Sequence, residues 1–262
     1  MKEHLTIEQW LGFNFSTPEL ALLCLGLPCL IVLVGLFVVR HFIPHTHLKK
    51  HHEISGPIFS ALGTVYGILL TLIITNTWHS YDQTATNVVQ EARCLEALDQ
   101  CARALPSGQG DKIRPLFQKY RNQVVTLEWP LLAHGQRSQE VTETLRQIVR
   151  AYADPSHASC DSCPFFTESV RLLHRLDSLR ASRIDDAQSG LLPFLWCVLL
   201  AGGALTMSFC FLFGAEDFFT HAAMTLILTL VIALGFLTIV LLDFPFTGAV
   251  CIPPTDFQDL KL

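Results

Sequence analysis

Residues 62–84 read LGTVYGILLTLIITNTWHSYDQT, and no charged side chain interrupts the wider run from 54 to 81. A helix needs about 20 residues to cross the hydrocarbon core of a bilayer, so this block is long enough to span one. Three further blocks, 20–39, 187–215 and 218–242, are equally free of Lys, Arg, Asp and Glu. The expected spans are 19–40, 57–80, 191–213 and 222–242, two hairpins of helices around one intervening domain. Composition agrees: 50% of the residues are hydrophobic and only 16% charged, too little charge to solvate a water-soluble fold of this length. The expected fold is therefore all-α, an integral membrane protein with four transmembrane helices and a helical soluble domain between the second and third.

Outward from the spans, the chain divides into an interfacial segment at 1–18, spans one and two at 19–80, the soluble domain at 81–190, spans three and four at 191–242, and a tail at 243–262. Leu5, Trp10, Leu11, Phe13 and Phe15 suit the interface of a membrane. The first span is too long for a signal-peptide core and is closed by Arg40 rather than by a small-residue cleavage site, so it is expected to remain as an anchor. A net charge of −5 provides no basic field for nucleic acid.

The soluble portion carries 13 Lys or Arg against 14 Asp or Glu. Neither Gly nor Pro occurs between Gly67 and Pro106, so the second span should continue without a break as an amphipathic helix from Pro57 through Leu105, roughly 70 Å long. Val88, Ala92, Cys94, Leu95, Leu98, Cys101, Ala102 and Leu105 form its packing stripe. Further helices are expected over 111–132, over 138–152 with Ser138 as N-cap, and over 167–188 with Val170, Leu173, Leu176 and Leu179 inward. The count of basic residues flanking the spans, with Arg171, Arg175, Arg180 and Arg183 against Arg40, Lys49 and Lys50, favours a cytoplasmic domain.

At 100° per residue, Thr64, Thr71, Thr75 and Asp82 fall in one narrow sector of the second span, beside Ser60, Gly67 and Trp78 and opposite Leu62, Leu69 and Ile73. Two readings are open. The hydroxyls bond back to their own helix while Gly63 and Gly67 make a small-xxx-small packing contact, or the sector lines a water-filled conduit among several copies.

The run 62–84 resembles the pore-lining second helix of bestrophins, where a Gly, a Thr-Leu pair, a later Thr, a Trp and a Tyr recur as Gly67, Thr71, Leu72, Thr75, Trp78 and Tyr81 do here. With WHSYDQTATNVVQEA, the EWP of 128–130, FLWCVLL around Trp196 and LDFPFTG at 242–248, the chain resembles the bestrophin-like domain family of bacterial membrane proteins. Bestrophins are homopentameric ion channels. The resemblance thus implies a pentamer in the inner membrane whose partners are its own copies, lipid and inorganic ions, with Ser60, Thr64, Ile68, Thr71 and Thr75 along the pore and His79 and Asp82 at its mouth. Animal bestrophins carry bulky apolar neck residues where Ser60, Thr64 and Ile68 fall, and two hydroxyls there make a neck that wets more readily. The PFTG resembles part of the bestrophin calcium clasp, but the acidic run that would hold calcium does not follow it.

Cys160 and Cys163 form a C-x2-C pair with His157 nearby, a candidate zinc site that Cys94 and Cys101 could complete; disulfides or idle thiols are the alternatives. His41, His45, His47, His51 and His52 crowd the first link, suited to metal, to protonation or simply to anionic headgroups. Asp243 is expected to pair with a domain arginine, and Glu91 to lie on a solvated face. No nucleotide loop, H-E-x-x-H or nucleophile elbow occurs, so no enzyme is expected. The competing functional class is a non-conducting scaffold, or a metal or pH sensor, that signals through the long helix.

Overall fold

The computed structural model describes residues 17–42, 52–105, 109–153, 164–211 and 217–262. Among these residues the helices are α1 (Thr17–Phe42), α2 (His52–Arg103), α3 (Gln109–Gln123), a π turn (Val124–Glu128), α4 (Trp129–Leu132), α5 (Gln139–Tyr152), α6 (Pro164–Gln188), α7 (Pro193–Cys210), α8 (Phe218–Asp243) and α9 (Thr255–Gln258), and no strand is present. Leu5, Trp10, Leu11, Phe13 and Phe15 of the expected interfacial segment, and His45, His47 and His51 of the link, lie outside the described residues. Contacts divide the chain into two units, one of residues up to 79 with 191–243, the other of 80–190 with 244–262.

The first unit holds four helical stretches long and apolar enough to cross a membrane: α1, the first part of α2, α7 and α8. Between 11% and 28% of each apolar stretch is buried within one copy, which leaves most of that surface for lipid or neighbouring copies. Leu22, Leu30, Phe37, Leu200 and Ile227 are each more than half exposed, as lipid-facing residues are. Inside, Tyr66 of α2 packs with Val32, Met207 and Ile232, and its hydroxyl donates to the Leu199 carbonyl at 3.1 Å. That approach depends on Gly202, where a Cβ would lie 2.7 Å from the Tyr66 ring. A second apolar cluster joins Ile73, Leu199 and Ile239, with the Trp196 and Phe236 rings stacked 6.4 Å apart beside it. Thr206, Thr225 and Thr229 donate to carbonyls one turn back, so their hydroxyls need no outside acceptor.

The second unit packs the remainder of α2 against α3, α5 and α6 around Val88, Leu95, Leu98, Phe117, Tyr120, Leu132, Ile148 and Leu176. α2 has no break, as the missing Gly and Pro predict, and Pro57 near its start does not end it. Ser138 caps α5, its hydroxyl accepting from the Val141 amide at 3.4 Å, and Val141, Leu145, Ile148 and Tyr152 form the buried stripe that follows. The helix expected over 111–132 is instead interrupted by the π turn. Pro130 explains this: it lacks an N–H and would clash with a carbonyl of a regular preceding turn, whereas here Trp129 N–H reaches back five residues to the Val124 carbonyl.

Residues 244–262 join this second unit. Phe246, Ile252, Phe257 and Leu260 are buried in its core, and the Ile252 carbonyl accepts from Trp129 Nε1 at 3.1 Å. The LDFPFTG stretch makes the turn that delivers them: Gly248 adopts φ 73°, a conformation that disfavours residues with a Cβ, and Ile252 N–H closes on the Pro245 carbonyl at 2.8 Å.

Candidate functional site

The polar sector of α2 is uncovered within one copy. Ser60, Thr64, Ile68, Thr71, Thr75, His79 and Asp82 are all exposed, whereas Tyr66, Ile73 and Thr77 are buried. Helix periodicity produces this division, since the apolar positions that pack on α7 and α8 occupy another side of the cylinder. The hydroxyls of Thr64, Thr71 and Thr75 donate to the carbonyls of Ser60, Gly67 and Thr71 at 2.7, 2.8 and 2.8 Å. Back-bonding uses each proton but leaves oxygen lone pairs facing outward, so each threonine presents an acceptor and no donor. A Cβ on Gly63 or Gly67 would meet nothing within 4 Å, so the small-residue pair makes no packing contact inside the chain.

The second unit contains a charged cluster at its centre. Glu91, Glu128 and Arg183 are 0% exposed and Arg180 5%. Arg183 binds both carboxylates, Nε to Glu91 Oε2 at 2.7 Å and Nη2 to Glu128 Oε2 at 2.9 Å. Arg180 Nε donates to Glu128 Oε2 at 3.1 Å, its Nη2 to Thr142 Oγ1 at 3.0 Å. The Tyr120 hydroxyl donates to Glu91 and the Ser138 amide to Glu128. The Trp129 and Phe257 rings lie 5.2 and 5.9 Å from the Arg183 guanidinium carbon. Two carboxylates face two guanidiniums, so the cluster is neutral while both acids are ionised. Burial alone would raise the Glu128 carboxyl, but the Arg180 hydrogen bond and the Arg183 and Arg180 charges outweigh it and hold the group below its ordinary range. Burial pushes the Tyr120 hydroxyl well above its ordinary range.

This cluster corrects two expectations. Glu91 is not on a solvated face, and Arg180 and Arg183 are not membrane-flanking surface charges. Their positions carried the signal: Glu91 falls between Leu95 and Leu98 around α2, and Arg183 between Leu176 and Ala187 along α6, so each interrupts a buried stripe. Asp243 is also corrected. It ends α8 buried, accepts from the Leu191 amide at 2.8 Å, and has no arginine partner among the described residues.

Cys160, Cys163 and His157 lie outside the described residues. Cys94 is buried with its thiol 3.1 Å from the Leu172 carbonyl, Cys101 is half-buried, and both are free thiols. Among the described residues no group of three or more His, Cys, Asp or Glu could hold a metal. Of the link histidines, His41 stacks on Phe37 with ring centroids 6.4 Å apart.

A profile of the bestrophin-like domain matches residues 26–257. The backbone is similar to a bacterial bestrophin homolog from Klebsiella pneumoniae, solved as a single-residue variant, at 12% identity over 89% of this chain and 94% of that one, with a TM-score of 0.67. The same homolog phased on zinc gives 13% identity, 88% and 93% coverage and a TM-score of 0.65. No curated protein matches the chain.

Proposed function

We propose, from the premise that this chain belongs to the bestrophin-like domain family, that it assembles into a ring of identical copies and conducts ions through a pore lined by α2. The observation that carries this reading is the uncovered sector of Ser60, Thr64, Ile68, Thr71 and Thr75. Threonine oxygens on a membrane helix are stabilised by water or ions rather than by lipid tails, and a ring of such helices provides both. His79 and Asp82 stand at the mouth, the ring is a pentamer as in bestrophins, and the membrane is the bacterial inner membrane with the second unit in the cytoplasm. Bestrophins are channels rather than enzymes, which supports a conducting rather than a catalytic role here.

The test is current across a planar bilayer containing purified protein. Wild type is expected to conduct and Thr64→Trp to reduce unit conductance at least tenfold, because an indole on every copy would close the neck. Absence of current over a range of salts and pH would overturn the reading. A non-conducting scaffold or metal or pH sensor is the second reading, favoured by the continuity of α2 through both units. Zinc bound by wild type and lost in Cys160→Ser with Cys163→Ser supports its metal branch; equal content in both removes it.

A further inference from the structure

Around Arg93 in the second unit, α2 borders two cavities of opposite character. One, of about 390 Å³, is lined by Gln90, Arg93, Cys94, Ala97, Leu172 and Arg175. Arg175 Nη2 donates to the neutral Gln90 amide oxygen at 2.9 Å, and among the described residues neither it nor Arg93 has a carboxylate partner. The other, of about 290 Å³, is walled by Glu96, Asp256 and Asp259, with Lys261 and the shared Arg93 as its cations. None of its three carboxylates forms an ion pair among the described residues. Gln90, Cys94 and Ala97 lie on one side of Arg93 around the helix, and Val89, Ala92 and Glu96 on the other.

Closed rings are built from heterologous contacts, in which each copy supplies two different and mutually complementary surfaces. An arginine pocket on one flank and an unpaired acidic edge on the other meet that requirement. We infer that copies join head to tail here, the acidic edge of Asp256 and Asp259 on one copy docking into the Arg93 and Arg175 pocket of the next. This deepens the proposed ring and rests on it. The pocket takes carboxylates because two guanidiniums offer forked donors to planar oxyanions. Partial enclosure protects such pairs from the screening that weakens open surface pairs.

The experiment measures the mass of full-length protein in detergent over a dilution series. Arg175→Glu and Asp259→Arg, each alone, are expected to raise the concentration of half-assembly about tenfold or more, and the two together in one chain to restore it. Independently, Arg175→Cys with Asp259→Cys in one chain should give, on oxidation, a ladder of linked copies beyond that of either single variant, and this result decides alone if the reversed charges prevent folding. Assembly unmoved by both reversals, or no added ladder, overturns the docking. So does inorganic phosphate bound at Arg93 and Arg175 in the assembled protein, since a docked carboxylate would fill the pocket. An oligomer that conducts but ignores the reversals removes this interface and leaves the channel reading intact, whereas a wild-type monomer removes both.

Discussion

The two ends of α2 treat polar groups in opposite ways. Toward its start, Thr64, Thr71 and Thr75 are exposed while Tyr66 and Ile73 pack inward; further along and on the opposite side of the helix, Glu91 is fully enclosed and both of its oxygens are bonded. One copy thus contains a second unit whose central charges cancel internally, and a membrane unit whose polar sector is uncovered within the chain. Internal completion makes the second unit sensitive to loss of a single partner, while the first is sensitive mainly to packing at its close approaches.

The sharpest way to break that contrast is Arg183→Leu. It leaves Glu91 buried without its main partner and weakens the hold on Glu128, and should cost about 3–5 kcal/mol, read as loss of the folded second unit in protease resistance or thermal melting. Melting unchanged within error would mean that the cluster is not a structural centre. In the membrane unit, Gly202→Val should cost about 1–3 kcal/mol by driving a methyl into the Tyr66 ring, with Gly202→Ala milder; equal stability of both with wild type would show that α2 and α7 do not approach closely. Ser138→Ala should cost about 1 kcal/mol by leaving the Val141 amide uncapped, measured as a small drop in melting temperature that Ser138→Asp reverses.

The smallest effect is a slope with pH. Glu128 has a folded carboxyl held below the 4.5 of its ordinary state. Its stabilisation is therefore fully present above that pH and disappears as pH falls through the lower folded value. The stability difference between wild type and Glu128→Gln should be constant from pH 7 to 5 and narrow in stronger acid. A gap that instead widened as acid was added would contradict the direction of that shift.

Much of the architecture was legible because the bilayer imposes a simple rule on sequence. Charge-free blocks of sufficient length located all four candidate spans, and the missing Gly and Pro after Gly67 predicted the unbroken α2. Ser138 was recognisable as a cap from its position before Val141 and Leu145. The π turn was not, because a five-residue turn differs from an α-helix by one residue, although Pro130 inside the expected helix marked the place. The ion cluster was missed for a different reason. Charged residues are ordinarily solvated, and only tertiary pairing makes the burial of Glu91 and Arg183 tolerable; their interruption of otherwise apolar stripes was the available clue. The polar sector was visible from periodicity, whereas what covers it lies outside the chain and leaves no local mark in the sequence.

The π turn gives chain length a meaning of its own in this protein. Wind the same five residues, Val124–Glu128, as an ordinary α-helix and the composition is unchanged and all four charged partners survive. Yet everything after them would swing by about 100° relative to α3, carrying Glu128 and the Trp129 indole away from the guanidiniums they enclose. The wide turn takes up a spare residue without changing the direction in which the helix presents its acid.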